Sequence, residues 1–454
     1  MNNQDIKIVV SGDVCINQLL WRTQLQNIRE LNWGNYPYIQ SIFSTGDALF
    51  LSDLISSSTG ACVLSPNIEN IEQSIKEGIL LATTELERFS VTLEDNKKVF
   101  RIKQFLGYTG STTDGPKLLP IKNDDENADI VIIDDVNNGF NSHEEFWPLA
   151  IKLHEKTPVI IYKVNNFNGS SLLWKHIEDY HLKNTIVVIN GDDLRSKGVN
   201  ISKGLSWERT ALDFVWQMNN NPNLSFLTKC SHLIVPFGLE GTIYYSKQES
   251  IANSRLYFLT YEFEGEFIKG SQGKMYGLTS CFVAGLARSI VSRIGKKNRF
   301  KSLDEGIREG MVAAQKYFVQ GFGEILEEKT FPSPSIFIED KVDFIFKEHI
   351  QDVLIRNSNN PNCQACWYII KDKSTTNLAE IAYDIVKNGE KSALKFIPIA
   401  QFGNLKAVDR TEIESYRGIK KLMEEYILTP NTIRPLSIAV FGTPGSGKSF
   451  GVTE

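Results

Sequence analysis

The feature that most constrains the fold of this chain is a series of short, almost uninterrupted apolar runs. They occupy residues 7–10, 130–133, 158–162, 185–189 and 232–235. A strand that is buried on both faces has this pattern, whereas a half-exposed strand alternates apolar and polar residues. Stretches with helical spacing separate the runs, for example residues 207–216, which follow a serine suited to cap a helix. The alternation predicts an α/β fold with a doubly wound, mostly parallel sheet and helices on both faces.

The same patterns predict further elements along the chain. Helices are expected at residues 279–290, 303–319, 378–386 and 413–427, β-rich segments at 48–54 and 256–262, and strands at 396–400 and 437–440. We interpret residues 1–325 as one α/β domain, 326–375 as a linker of mixed character and 376–430 as a helical coupling segment. Residues 431–454 would then form the first strand and the phosphate-binding loop of a truncated P-loop NTPase domain.

An octapeptide near the end of the chain, G-T-P-G-S-G-K-S at residues 442–449, fits the pattern of a nucleotide phosphate-binding loop. In such a loop the backbone N–H groups surround the phosphates, a lysine reaches the β- and γ-phosphates and a hydroxyl holds Mg²⁺. The residues concerned are Gly442, Gly445, Gly447, Lys448 and Ser449, and the cofactors they imply are ATP and Mg²⁺. Because five residues follow the loop, we expect this chain to be the front part of a longer protein and, alone, to hydrolyse no nucleotide.

The composition argues against some classes of function. The formal net charge of −5 does not fit the strongly basic face that nucleic-acid binding requires. No apolar run approaches the roughly 18 residues of a membrane span, so no membrane partner is expected. Six scattered cysteines fit a reducing cytoplasm better than a disulfide framework. Cys363 and Cys366 form the closest pair, for which an inert role and a metal or redox role both stay open.

Polar side chains crowd the carboxyl ends of the predicted strands. They are Asp13, Asp134, Asp135, Asn190, Asp192 and Asp193. In open parallel sheets ligands bind at this edge, although polar residues there also cap helices and line loops. The sequence therefore predicts a ligand site at the edge, with Asp192 and Asp193 among its candidate catalytic residues.

Four segments carry a resemblance to the ribokinase-like (PfkB) family of carbohydrate kinases, which extends over residues 5–325. They are V-S-G-D at 10–13, N-G-D-D at 190–193, V-P-F-G-L-E-G at 235–241 and G-L-T-S-C-F-V-A-G-L at 277–286. The resemblance implies a ribokinase-like fold that binds a nucleotide together with a sugar-like substrate, and Mg²⁺ near residues 190–193. It further implies substrate binding by Asp13, Asp47 and Asn190, and nucleotide binding by Gly238, Gly241, Gly277 and Thr279.

The chain departs from the family pattern at the points where catalysis would occur. Ser280 stands where the family has an aspartate general base, and a serine hydroxyl is not basic at neutral pH. Thr279 replaces an anion-hole glycine, and Pro236 replaces a threonine and lacks an N–H donor. The early double-glycine motif is reduced to T-G-D at residues 45–47. These departures favour a retained fold without phosphoryl transfer.

Three hypotheses about function follow. In the first, a catalytically degenerate ribokinase-like domain binds a nucleotide, a nucleoside or a sugar-like ligand and controls a C-terminal P-loop ATPase, an architecture similar to that of bacterial stress and antiphage NTPases. In the second, the chain is an active sugar or nucleoside kinase in which Asp134, Asp135, Asp192 or Asp193 is a displaced base. In the third, it is an interaction scaffold with both sites idle. Whether the chain forms a homo-oligomer stays open.

Overall fold

The computed structural model of the chain describes residues 3–23, 38–91, 97–110, 115–153, 157–167, 169–248, 251–261, 263–264, 273–294, 303–324, 334–338, 346–356, 367–374, 377–429, 435–441 and 448–453. Its strands are β1 (Lys7–Gly12), β2 (Val14–Thr23), β3 (Tyr38–Gly46), β4 (Cys62–Leu64), β5 (Leu80–Ser90), β6 (Lys98–Thr109), β7 (Ile130–Asp135), β8 (Val159–Val164), β9 (Thr185–Ile189), β10 (His232–Phe237), β11 (Gly241–Gln248), β12 (Ile251–Leu259), β13 (Ile350–Leu354), β14 (Ala400–Phe402) and β15 (Leu405–Ala407). Its helices are α1 (Asp47–Thr59), α2 (Ile71–Lys76), α3 (Leu149–Lys152), α4 (Leu172–Tyr180), α5 (Gly191–Ser196), α6 (Trp207–Asn220), α7 (Leu278–Val291), α8 (Asp304–Gln320), α9 (Ile369–Lys373), α10 (Leu378–Asn388), α11 (Glu390–Ala393), α12 (Arg410–Leu428) and α13 (Lys448–Thr453).

Nine of these strands form one large sheet in the order β4-β1-β7-β8-β9-β10-β11-β12-β13. The six strands from β4 to β10 run parallel, and β11, β12 and β13 continue the sheet in antiparallel pairing. Successive side chains face opposite sides, so that Ile8 and Val10 pack in one core and Val9 packs in the other. Because both faces are covered, the parallel strands are continuously apolar in sequence, and the predicted mostly parallel α/β fold is confirmed.

Helices cover both faces of this sheet. Helices α1, α7 and α8 share one core, which includes Leu51 and Phe282, whereas α4 and α6 pack on the opposite face, where Phe214 is buried. Helix α6 begins as predicted, since the hydroxyl of Ser206 accepts the backbone N–H of Arg209 at 3.0 Å. In the described ranges, no helix combines the length and the apolar character that crossing a membrane requires.

A second sheet of four strands, in the order β3-β2-β5-β6, faces the carboxyl ends of the parallel strands. We refer to it as the small sheet. One of its sides packs on the core through side chains such as Leu19 and Leu86, and the other side is open. Burial therefore alternates along β5 from residue 80 to residue 86. The sequence prediction does not contain this sheet.

Two segments differ from their predicted structure. Residues 48–54, predicted as β-rich, lie in helix α1, where Leu51 and Ile55 recur at helical spacing and are fully buried. Gly60 ends this helix in the left-handed conformation, with a φ of 63°. Strand β13 lies in the segment predicted as a linker and pairs with β12 at the edge of the large sheet. The sheet thus extends beyond residue 325.

The C-terminal segment contains the two helices predicted there, α10 and α12. The strand predicted at residues 396–400 is displaced, because the β14–β15 hairpin begins at Ala400 and Phe396 lies in a turn. The strand predicted at residues 437–440 is not formed. Residues 435–441 are exposed and pair with no strand in the described part of the chain, so side chains such as Ile438 and Val440 bury little apolar surface there.

Candidate functional site

A cavity of about 730 Å³ lies between the small sheet and the carboxyl ends of the parallel strands. Asn17 of β2 and Tyr108 of β6 line it from the small sheet, and Lys163 of β8 and Asn190 after β9 line it from the large sheet. Ligand pockets commonly have volumes of about 300–1,000 Å³. The cavity therefore has the size of a ligand site and lies at the edge where the sequence predicts one.

Seven of the predicted site residues come together in this cavity. Its lining includes Asp47, Asn190, Asp192, Asp193, Gly277, Thr279 and Ser280. A smaller cavity of about 30 Å³ shares Asn190 and Thr279 with it and is also lined by Pro236 and Gly238. The residues that the resemblance assigns to a nucleotide thus lie beside those that it assigns to a substrate.

Asp13 and Gly241 line neither cavity. The buried carboxylate of Asp13 accepts three backbone N–H groups of residues 136–140 at 2.9–3.1 Å. Burial raises the pKa of Asp13 to about 6, although these hydrogen bonds favour its ionised form. A Cβ at Gly241 would come within 2.3 Å of the Trp207 ring. Asp13 therefore holds the loop after β7, and Gly241 allows close packing; neither residue lines the two cavities.

Asp134 and Asp135 have partners at the end of β7. The carboxylate of Asp134 accepts the ammonium of Lys163 at 2.5 Å, and that of Asp135 accepts the hydroxyl of Tyr162 at 2.5 Å. Burial raises the pKa of Asp135 above its ordinary value. Neither aspartate lines the cavity, and both are at most 1% exposed. These two candidates for a displaced base are consequently out of reach of a ligand.

The adjacent aspartates of α5 have different surroundings. Partial burial alone would raise the pKa of Asp192, but Lys203 at 3.0 Å and Arg195 at 2.7 Å lower it below its ordinary value. Burial raises the pKa of Asp193 to about 6, against the charge of Lys163. Asp192 is thus held in ion pairs, whereas the described residues form no ion pair with Asp193.

Asp47 is the first residue of α1 and has a φ of 48°, in the left-handed region that aspartate tolerates better than most residues. Burial, followed by the charge of Asp134, raises the pKa of Asp47 to about 7, whereas Cys15 and Lys163 oppose the shift. A carboxylate with a pKa near neutrality accepts and releases a proton readily at physiological pH. The cavity thus holds a candidate proton acceptor that does not belong to α7.

Ser280 lies in the first turn of α7 and is 3% exposed. Gly277 precedes the helix with a φ of 78°, and a Cβ there would come within 2.4 Å of the Phe50 ring, so that glycine is required. Among the residues that the structure describes, no side chain caps α7, and the first turn of the helix lies at the cavity. A helix start of this kind attracts anionic groups, but the side chain of Ser280 supplies no base.

Lys163 is a functional candidate that the sequence prediction does not include. Its side chain is 6% exposed and lines the floor of the cavity. Burial alone would lower the pKa of Lys163, but Asp134, with smaller contributions from Asp47 and Asp193, raises it, so the ammonium stays protonated. A signal exists in the sequence, since a lysine interrupts the apolar run of β8 at its carboxyl end.

Aromatic side chains form a second group absent from the sequence prediction. Those that line the cavity are Phe50, Phe105, Tyr108, Tyr276, Tyr317 and Phe322. Two of them lie on β6, a strand of the small sheet. Because the small sheet is not predicted, no spacing argument assigns these residues to a ligand.

The described residues offer few ligands for Mg²⁺ at the cavity. No group of three or more His, Cys, Asp or Glu suited to a metal occurs in the ranges that the structure describes. The side-chain oxygen of Asn190 accepts the N–H of Asp192 at 2.8 Å, and the carboxylate of Asp192 is paired with Lys203 and Arg195. Asp193 is therefore the carboxylate of this segment that could bind the ion. Mg²⁺ is often held by one or two carboxylates together with substrate phosphates. Asp193 fits such a site when a phosphate-bearing ligand supplies further oxygens.

Part of the C-terminal octapeptide lies outside the described residues, namely Gly442, Gly445 and Gly447, as do Cys363 and Cys366. Lys448 and Ser449 begin helix α13. The side chains of these two residues lie outside the part of the structure that is described. Nucleotide binding by this loop and Mg²⁺ binding by Ser449 stay predictions.

Comparison with known proteins finds similarity at the level of solved structures. No protein-family model and no curated protein sequence matches the chain. A nucleoside kinase from Methanocaldococcus jannaschii, described as an archaeal member of the ribokinase family, is 14% identical with a TM-score of 0.36; the match covers 70% of this chain and 92% of that one. A carbohydrate kinase from Agrobacterium tumefaciens is 11% identical with a TM-score of 0.37, over 77% and 99% of the two chains.

Ribokinase from Arabidopsis thaliana, in complex with ribose and ATP, is a further match. It is 12% identical with a TM-score of 0.38, over 68% of this chain and 91% of that one. Matches at such identities and TM-scores concern the course of the backbone and assign no chemistry to any residue of this chain.

Proposed function

We propose that the α/β domain is a catalytically degenerate, ribokinase-like binding module that takes up a nucleotide- or sugar-like ligand. Through the helical segment that follows it, ligand binding would control the P-loop at the C-terminal end of the chain. The nucleotide would be ATP, with Mg²⁺ on its phosphates, beside Gly238 and Thr279. The second ligand would lie near Asp47 and Asn190.

The observation that carries this proposal is the position of Ser280. It lies in the cavity with Gly277, Thr279 and Asn190, where the resemblance calls for a general base. Phosphoryl transfer to a hydroxyl needs an acceptor for the hydroxyl proton, and a serine hydroxyl is not one at neutral pH. A cavity that keeps its polar lining without a base on α7 supports binding without turnover.

One observation favours a second candidate function, phosphoryl transfer to a hydroxyl of a sugar or nucleoside. Asp47 lines the same cavity, and burial raises its pKa to about 7. General bases act best when their pKa lies near the operating pH. A base at the start of α1 would supply the chemistry that Ser280 lacks. Asp193, with a pKa of about 6, is the next candidate among the carboxylates of the cavity.

Contacts of α12 support the proposed control of the P-loop. Arg417 of α12 lies 3.4 Å from the carboxylate of Glu264, which is 4% exposed, and so ties the helix to the α/β domain. On the same helix, the hydroxyl of Tyr416 would lie 2.9 Å from a Cβ at Gly451 of α13. An element that touches both the α/β domain and the helix after the P-loop can carry a structural change from one to the other.

The two candidate functions differ in whether ADP is released. The full chain with Lys448→Ala, in which the P-loop is silent, should bind ATP or ADP and a sugar or nucleoside in isothermal titration. In a coupled assay over a panel of sugars and nucleosides, the first candidate predicts no ADP release above background. Acceptor-dependent ADP release that is lost in Asp47→Asn would establish the second candidate. Failure of every nucleotide, sugar and nucleoside to bind would contradict both.

A further inference from the structure

Three aromatic side chains form an exposed surface on the cavity, here called the aromatic wall. Phe105 and Tyr108 belong to β6, and Tyr276 precedes α7. The ring centroid of Phe105 lies 4.8 Å from that of Tyr108 and 6.1 Å from that of Tyr276, both in edge-to-face geometry. The three residues are 42%, 61% and 41% exposed, respectively. The wall thus offers a contiguous aromatic surface to the inside of the cavity.

The aromatic wall is part of a larger apolar lining. Leu19, Phe50, Met275 and Phe322 also line the cavity. Covering apolar surface of this kind stabilises a complex by about 25 cal/mol per Å² removed from water. Planar rings gain more binding free energy from this surface than aliphatic or hydroxylated groups do, because offset stacking and edge-to-face contacts add to the free energy of burial. The apolar lining therefore favours a ligand with a planar ring.

The rest of the lining is polar and lies next to the wall. It includes Asn17, Asp47, Lys163 and Asn165. Tyr108 lies where the two linings meet. Its phenolic hydroxyl is protonated at neutral pH and can donate a hydrogen bond beside the aromatic surface. A matching ligand needs hydrogen-bonding groups close to its planar ring.

We infer that the ligand of this cavity is a nucleoside, with its base stacked on the aromatic wall and its sugar hydroxyls at the polar lining around Asp47. A monosaccharide carries hydroxyls on most of its carbons and would leave the wall uncovered, whereas a nucleoside covers both linings. The inference rests on the proposed function and narrows the class of ligand within it.

Isothermal titration of the full chain with adenosine, uridine and ribose tests the inference. Both nucleosides should bind at least about tenfold more tightly than ribose, since ribose makes no stacking contact. Phe105→Ala and Tyr108→Ala should each weaken adenosine binding about five- to 150-fold, the range that corresponds to the loss of one base–aromatic stacking contact. Neither variant should change the binding of ribose.

Two further variants separate the effect of the rings from other effects. Phe43→Ala removes a ring of similar exposure, 36%, from β3 of the same sheet but outside the cavity lining, and it should bind adenosine like the wild type. Tyr108→Phe keeps the ring and should retain most of the binding that Tyr108→Ala loses. Because each residue of the wall is more than 40% exposed, the variants of Phe105 and Tyr108 should keep the melting temperature of the wild type.

The outcomes distinguish this inference from the proposed function. If ribose binds as tightly as adenosine, or if Phe105→Ala weakens both by the same factor, the stacking of a base is refuted and the binding function stands. If adenosine, uridine, ribose and ATP all fail to bind, the proposed function falls with the inference. Tight binding of both nucleosides that depends on both rings of β6 supports it.

Discussion

Replacement of Asp47 by asparagine tests whether the cavity holds a carboxylate with a perturbed pKa. Asparagine has nearly the same shape and also tolerates the φ of 48° at this position. Folding raises the pKa of Asp47 from 3.8 to about 7. Between these values the folded protein keeps a proton that the unfolded chain has released, so this group makes the wild type less stable as the pH rises through the window. The asparagine variant lacks this dependence.

The magnitude follows from the shift. About three pKa units correspond to about 4 kcal/mol at 1.36 kcal/mol per unit. Because Asp47 lines a cavity that water enters, screening reduces this value, and we expect about 2 kcal/mol. The free energy of unfolding of Asp47→Asn, relative to the wild type, should therefore increase by about 2 kcal/mol between about pH 4 and pH 8.

Chemical denaturation of the variant and the wild type over this pH range measures the difference. Asp179→Asn, which removes an exposed carboxylate from α4, is the matched control and should follow the wild type at every pH. If the difference between Asp47→Asn and the wild type does not depend on pH, Asp47 ionises at an ordinary pKa. That result would remove Asp47 as a candidate general base and leave Asp193 as the next candidate among the carboxylates of the cavity.

Two further predictions concern the glycine before α7 and the attachment of α12. Gly277→Ala should lower the free energy of unfolding by at least about 2 kcal/mol, because the new Cβ would be strained by the left-handed backbone and would also contact Phe50. Gly198 has a φ of 80° but open space around it, so Gly198→Ala should lower the free energy of unfolding by about 1 kcal/mol. Equal losses for the two variants in thermal melts would contradict the steric argument. Arg417→Met removes hydrogen bonds to two backbone carbonyls and to the buried carboxylate of Glu264, which keeps the backbone N–H of Trp207 as a donor, and should cost about 2–3 kcal/mol. Lys421→Met, an exposed change on the same helix, should change the free energy of unfolding by no more than about 0.5 kcal/mol, as measured by urea unfolding. A similarly small loss for Arg417→Met would mean that other contacts hold α12.

The parallel core could be predicted from the sequence because burial of both faces leaves a continuous apolar signal. Strands of the small sheet have one open face, and residues such as Thr83 and Glu85 break up any apolar run in β5. The prediction failed for helix α1 for a different reason. Residues 48–51 are all apolar and all buried, and a short apolar run of this kind is compatible with a buried strand and with a buried helix.

The candidate site could be predicted as a region but not in its chemistry. The sequence placed carboxylates at one edge of the sheet, yet Asp192 and Asp193 are adjacent and look alike. Tertiary structure separates them, since Lys203 lies 11 residues away in the chain and meets Asp192 alone of the two. Lys163 likewise gains its importance from Asp134, which belongs to the neighbouring strand. The pairing of Lys163 with Asp134 depends on strand order, which spacing along the chain does not encode.

The protonation state of Asp47 separates the two candidate functions more sharply than its position does. A general base must be ionised in the bound complex, whereas a binding residue can either accept or donate a hydrogen bond. A ligand hydroxyl that donates to ionised Asp47 would lower its pKa below about 7, so that binding near pH 7 would release a proton. Titrations in buffers of different ionisation enthalpy measure that release. Proton release together with acceptor-dependent ADP formation would identify a kinase whose base lies on α1. Ligand binding with proton uptake, or with no change in the number of bound protons, would be a property of a sensor.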